Sequence, residues 1–473
     1  MSADDLYFKS VRELGDLLRR REISPVELTR GYLDRLQRLG PGLGAVATLT
    51  EELALVQARA AEQEIAAGRY RGPLHGVPFG VKDLLATQGI PTTWGAEPYR
   101  QQVFDHDATA VERLRQAGAV LVAKLAMVEL AGGLGYNTAD ASWTGPGRTP
   151  WNRDYWSGGS SSGPGAAVAA GLVAFAIGSE TSGSILTPAA FSGVTGLRPT
   201  YGRVSRFGAM ALSWTLDKLG PMARSADDAA LVLEAIAGPD PRDPSSLDAP
   251  FQAPPRSGPP ERPGGGRLRV AVPKGAADKA QPEVRQNFEA SLGVLGRFAD
   301  VTREVDWPDF PWGPAVSAIV SAEGASAFLD LIESGRAASL RCARDRTGGL
   351  PATLLPAVDY LHAMRLRGPM RQAAAELFSR FDVVAAPTRQ TISYPMAVTF
   401  DKAYPGVGGG PALIPAGNLC GLPAVAVPNG FGQNGLPTSL SLLGPALGEG
   451  TLVAAAGAYQ DATDWHRRRP PGT

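Results

Sequence analysis

Between Ser157 and Pro199 the chain reads SGGSSSGPGAAVAAGLVAFAIGSETSGSILTPAAFSGVTGLRP, and this run narrows what it can fold into. Two serines, Ser160 and Ser184, stand 24 positions apart, each on a glycine-rich turn. A helix of small residues and a short apolar run separate them. Glycines flanking a serine permit positive φ and close backbone approach, as an exposed nucleophile with nearby N–H donors requires. Far upstream, Lys82 sits in the apolar run GVPFGVKD. A lysine and two serines can form a nucleophilic relay that needs no histidine.

The surrounding pattern alternates between helical and extended periods. Helical signals dominate the first 70 or so residues. Ser24, Pro25 and Glu27 read as a capping serine, a first-turn proline and a glutamate three positions after the cap, opening a helix to about Leu39. A second helix is expected from about Glu51 to Ala67. Strand-like runs at 77–82 and 119–124 then flank a helix from Asp107 to about Ala117, which predicts an α/β layer with at least partly parallel strands. Further strands are expected at LRVAVP and at 382–388, 424–428 and 438–444. Helices are expected near 282–297, 314–333, 354–380 and 449–463. The stretch from about Gly238 to Gly266 is too rich in proline and glycine for either, and reads as a surface loop joining two halves of one fold.

With 473 residues, the chain is long enough for one large domain or two. Lys plus Arg and Asp plus Glu each total 46, so nothing favours nucleic-acid binding through a basic surface. Two cysteines, Cys342 and Cys420, argue for a reducing compartment rather than a disulfide framework. The acidic N-terminus shows no secretory signal, and the apolar stretch from Ala166 to Ile177 is too short to span a bilayer. A cytoplasmic protein is expected. The four histidines (His75, His106, His362 and His466) lie far apart without metal-ligand spacing.

Taken with GLRPTYGRVSRFG at Gly196 to Gly208, GLPAVAVPNG from Gly421 and YQDATDWHRRRP from Tyr459, these motifs resemble the amidase signature family over about residues 5–470. The resemblance implies a single α/β/α sandwich domain over residues 1–473, built around a large mixed, twisted β-sheet. It implies that Lys82 is a buried, neutral base, that Ser160 is a relay on a cis peptide bond, and that Ser184 is the nucleophile. Ser161 and Ser162 would cap the following helix or support the loop. Backbone groups of Thr181, Ser182, Gly183 and Ser184 would form the oxyanion hole, with no metal or organic cofactor. The run Glu180-Thr181-Ser182-Gly183-Ser184-Ile185-Leu186 departs from the family pattern at three places. Glutamate replaces aspartate, Ser182 replaces a glycine and so restricts the oxyanion turn, and Leu186 replaces an arginine close to the site. Leu134, on the expected acyl-binding loop, and Leu186 both suit a hydrophobic substrate.

The leading expectation is hydrolysis of small or aryl amides through an acyl-enzyme on Ser184, with carbamates (urethanes) and esters also open to the same serine. The chain would act on a small molecule, without nucleic acid or membrane, as a monomer or homodimer. A second expectation, drawn from Tyr201–Arg206, is the amidase-type subunit of a glutamine-dependent tRNA amidotransferase, against which the altered Ser184 loop argues. A catalytically inactive binding protein is the third. Specificity is expected in loops 125–155, 312–350 and 396–412, with the glycine-rich 405–411 over the cleft. Trp143 and Trp214 are expected beside an apolar cleft, and the C-terminal DWHRRR run is expected to be docked on the body.

Overall fold

The computed structural model describes residues 3–255, 260–262, 264–408, 410–411 and 413–473. Four residues of the Pro/Gly-rich stretch (256–259), Pro263 and Gly409 of the glycine-rich segment therefore lie outside the described residues. One twisted sheet holds eleven strands: β1 Val46–Leu49, β2 Pro78–Lys82, β3 Val120–Leu125, β4 Phe175–Glu180, β5 Thr195–Arg198, β6 Lys218–Ala223, β7 Leu268–Pro273, β8 Ala299–Val305, β9 Val383–Pro387, β10 Ala424–Phe431 and β11 Pro437–Leu443. Their order is β1-β3-β2-β4-β6-β5-β10-β11-β9-β7-β8. The sheet is mixed, as expected: β2 runs parallel to β3 and β4, and β7 parallel to β8 and β9, while the other neighbours are antiparallel.

The strands before the Pro/Gly-rich stretch make one half of this sheet and those after it the other. They meet along a single seam, where β5 pairs with β10 through Gly196, Leu197 and Arg198. The connecting stretch is not wholly a surface loop. Asp240 and Asp243 are buried, Asp240 accepts from Ser205 Oγ at 2.8 Å, and Phe251 is buried beside Arg203. Charged residues thus anchor its first part to the first half, which composition alone does not reveal.

Local chemistry explains most element boundaries. Ser24 and Glu27 form the reciprocal capping box that starts the helix Pro25–Leu43, which runs one turn beyond the expected end to a left-handed Gly44. The segment 314–333 breaks into Trp312–Ala327 and Leu329–Glu333 at Phe328. Between the two serine turns, the small-residue helix Ser162–Ala169 is buried along its whole length. A Cβ at Gly163 would stand 2.5 Å from the Ala45 carbonyl and the Ala126 amide, so only glycine allows this close approach.

The buried Arg35 ties that helix to the N-terminal layer. Its Nε donates to the Gly171 carbonyl at 3.0 Å and its Nη2 to the Ala170 carbonyl at 2.9 Å, satisfying carbonyls at the helix end. The C-terminus is docked: Arg469 pairs with Asp5 at 2.7 Å and stacks on Phe8, and Arg224 holds the His466 carbonyl at 3.3 Å. Both cysteines are free and buried. Among the described residues, no helix is long and apolar enough to cross a membrane.

Replacing Arg35 by Met should strand two buried carbonyls and lower stability by about 2–4 kcal/mol. Thermal and urea unfolding would show a clearly lower midpoint, with Arg35→Lys in between; unchanged midpoints would show that Arg35 does not brace this helix.

Candidate active site

Lys82 closes β2, and the parallel neighbour β4 brings Ser179 beside it. Lys82 Nζ lies 2.7 Å from Ser160 Oγ and 2.9 Å from Ser179 Oγ, with the side chain fully buried. The adjacent Asp83 does not neutralise it. Asp83 instead sits 3.2 Å from Lys124 of β3 and accepts from the Thr93 amide and hydroxyl. Burial pulls the Lys82 amine down to about 7, partly offset by the charges of Asp217 and Glu180. A neutral amine in contact with a serine hydroxyl can take its proton near physiological pH.

Ser160 follows a cis peptide bond from Gly159, as expected, and its carbonyl accepts from the Val128 amide at 3.0 Å. Ser161 supports the loop rather than capping the helix: its amide donates to the Ser184 carbonyl at 3.2 Å, and its hydroxyl exchanges 3.3 Å contacts with the Ser179 backbone. The two serine turns are therefore joined directly.

Glu180 organises the second turn. One carboxylate oxygen accepts from the amides of Ile185 and Leu186, each at 3.0 Å. The other meets Arg198 at 2.8 Å and Asn418 Nδ2 at 2.9 Å. Burial alone would raise this carboxyl, yet the Arg198 charge and these donors hold it near 2. The glutamate that departs from the family pattern thus still brackets the backbone on the far side of Ser184.

The turn itself suits an oxyanion. Gly183 takes φ +94°, and a Cβ there would press within 3.1 Å of Thr187 Oγ1 and 3.3 Å of Ile414. No described protein group accepts a hydrogen bond from the amides of Ser182, Gly183 or Ser184. Ser182 does not restrict the turn, because its φ is not positive and its side chain is exposed. Thr181 Oγ1 donates to Asp217 at 2.6 Å, while the other Asp217 oxygen accepts from the amides of Leu212 and Ser213.

Ser184 opens on a cavity of about 290 Å³ walled by Tyr136, Trp156, Tyr394 and Phe400, with Leu212, Val320 and Arg389 also lining it. Each loop expected to carry specificity contributes: Ala131, Gly132 and Tyr136 from 125–155, Val320 from 312–350, and Phe400 from 396–412. Leu134 does not line it. The chain turns through Leu130 and Ala131 at positive φ, and Leu134 packs into the main core beside Gly349. Leu186 lines a second cavity of about 260 Å³, together with Val407, Gly408, Gly410 and Pro411 of the glycine-rich segment. Of the two expected tryptophans, Trp214 does line a cleft, one it shares with Ser179, Thr181 and Asp217, whereas Trp143 hydrogen-bonds Thr93; the tryptophan in the wall beside Ser184 is Trp156. Sequence reasoning did not single out Ser179, Asp217, Arg198, Asn418, Arg389 or Tyr394, which reach the site from separate elements. Among the described residues, no group of three or more His, Cys, Asp or Glu is placed to hold a metal.

A family model described as Amidase matches residues 27–453. The chain is 38% identical to a glutamyl-tRNA(Gln) amidotransferase subunit from Moorella thermoacetica, over 98% of this chain and 99% of that protein. In three dimensions it matches the peptide amidase of Stenotrophomonas maltophilia at TM-score 0.83 and 30% identity, covering 98% of each chain. It also matches, at TM-score 0.87 and 29% identity over 96% and 98% of the two chains, an inhibitor-bound structure described as an unexpected vestigial protein complex that reveals the origins of an s-triazine catabolic enzyme. These findings correct one expectation. The Moorella relative is by name one part of a larger enzyme, and the last structure comes from a protein complex. The reading of a monomer or homodimer meeting only a small molecule is therefore set aside.

Two measurements test the site. The value of kcat/KM for amide hydrolysis should rise with pH, about tenfold per unit below a midpoint near 7, and level off above it as Lys82 loses its proton. A profile that is flat or falls across pH 5.5–8.5 would remove Lys82 as the base. Glu180→Gln should lower kcat about 10²-fold with a smaller change in KM, because the bracketed turn loses its alignment; a change confined to KM would show that the bracket is not needed for chemistry.

Proposed function

The chain belongs to the amidase signature family, and from that membership we propose that it cleaves a carboxamide through an acyl-enzyme on Ser184, as the amide-hydrolysing component of a protein assembly. The observation that carries the chemistry is the buried Lys82 amine, 2.7 Å from Ser160 Oγ and without a carboxylate partner. The relay follows from it. Ser184 Oγ forms a bond to the carbonyl carbon as its proton passes to Ser160, whose own proton moves to Lys82 Nζ. The oxyanion forms at the amides of the 182–184 turn. Collapse breaks the C–N bond, and the proton returns through Ser160 to the leaving nitrogen. Water then cleaves the acyl-enzyme by the same path, releasing the acid.

The relative at 38% identity over nearly the full length of both chains favours the amidotransferase reading over the aryl-amide one, with glutamine as the amide and a partner protein receiving the nitrogen. A second reading of the acyl group, an aryl or small hydrophobic amide, draws support from the wall of Tyr136, Trp156 and Phe400. None of the proteins compared above is named for carbamate or ester cleavage, so neither enters the proposal.

Ammonia release from glutamine and from a matched anilide separates the two readings, measured on the chain alone and with the protein encoded beside it or co-purifying with it. The amidotransferase reading expects glutamine to be preferred, the rate to rise with the partner, and Ser184→Ala to abolish it. Anilide preference with no partner effect would favour the second reading. Failure of a fluorophosphonate to label Ser184 would overturn the hydrolase.

A further inference from the structure

Among the described residues, one charged side chain lines the cavity in front of Ser184, and it is Arg389. The residue lies just past β9, and its guanidinium borders both this cavity and the adjoining one beside Leu186; Tyr394 lines both as well. Its Nη2 donates to Tyr394 Oη at 2.9 Å, but its Nε is buried with no acceptor. Other arginines near the site have counter-ions, as Arg198 has Glu180 at 2.8 Å and Arg206 has Asp243 at 3.6 Å. No described carboxylate lies within ion-pair distance of Arg389.

Arginine seldom enters a low-dielectric wall unpaired, because its desolvation is left uncompensated. The fork of a guanidinium matches a carboxylate in two parallel hydrogen bonds, and Tyr394 holds this one in place by a single donor, leaving the rest of its edge free. Tyr136, Trp156, Leu212, Val320 and Phe400 line the same cavity as Arg389 and Ser184, and give the methylene carbons of a substrate apolar surface to pack on.

We propose that Arg389 is the specificity-determining residue of this site, binding the carboxylate of an amide whose carbonyl is attacked by Ser184. The substrate class is the monoamide of a dicarboxylic acid, with or without an amino group, and glutamine is one member. This inference rests on the amide-hydrolase reading but does not depend on which partner takes the nitrogen. Arg389 acts on binding and moves no proton.

The test compares glutaramate (the monoamide of glutaric acid) with pentanamide, its neutral counterpart, on the wild type, Arg389→Met and Arg389→Lys. Wild type should favour glutaramate in kcat/KM. Arg389→Met should cut that preference about 30–100-fold, mostly through KM, and Arg389→Lys should restore part of it by charge without the fork. Glutarate binding, followed by calorimetry on Ser184→Ala, should be lost when Arg389→Met is added; this arm reads the proposal even where turnover needs a partner. Equal losses on both amides, or glutarate bound as well without Arg389, would overturn it. Labelling of Ser184 by a fluorophosphonate in the wild type, Arg389→Met and Arg389→Lys keeps that outcome distinct from failure of the hydrolase reading, and circular dichroism checks folding.

Discussion

Burying an amine where no carboxylate touches it is the constraint on which this candidate site depends. In water, or beside an acid, Lys82 would hold its proton through the whole physiological range. The fold removes both conditions. It seals the side chain between parallel strands and hands the neighbouring Asp83 to Lys124, a lysine on the next strand. The two lysines are equally buried and differ chiefly in their partners. Lys124 has an acid and a threonine hydroxyl, and Lys82 has two serine hydroxyls. The first arrangement is an ion pair, and the second leaves an amine in contact only with hydroxyls.

The same economy holds the turn that carries Ser184. Few side chains touch the Ser184 turn, and those that do satisfy several groups at once. Glu180 meets two amides, one arginine and one asparagine, and Asp217 meets a threonine hydroxyl and two amides. Buried carboxylates held by three or four donors are rigid, so the free amides of the turn are presented at a fixed angle. That stiffness lets an exposed serine replace a glycine at position 182 without disturbing the turn.

The parts of this arrangement with a local signature were legible in the sequence. Ser24 and Glu27 are three positions apart and announce their helix; glycines around Ser160 and Ser184 announce tight turns. The α/β layer could be read from alternation of periods, whereas the mixed sheet came only from the family resemblance and the strand order from neither. What escaped was set by contacts between distant segments. Asn418 reaches Glu180 across 238 positions, and nothing near either residue marks the pairing. Arg389 looks like any loop arginine until the fold turns it toward Ser184. Leu134 was placed on the acyl-binding loop by resemblance alone, and the left-handed backbone at Leu130 and Ala131, which turns the chain so that Leu134 packs into the core, has no signature in the sequence.

The seam at β5 and β10 has a consequence for how such a protein can change. Lys82, Ser160, Ser179 and Ser184 all belong to the half before the Pro/Gly-rich stretch, whereas Val320, Arg389, Tyr394 and Phe400 come from the half after it. The relay is thus written in one passage of the chain, while the cavity wall draws on both, with Tyr136, Trp156 and Leu212 supplied by the first. Contacts such as the grip of Asn418 on Glu180 and of Glu129 on the amides of Arg341 and Cys342 bind one to the other. A lineage can rewrite the second passage, trying one acid or amide after another, while the first keeps its bond-breaking apparatus intact.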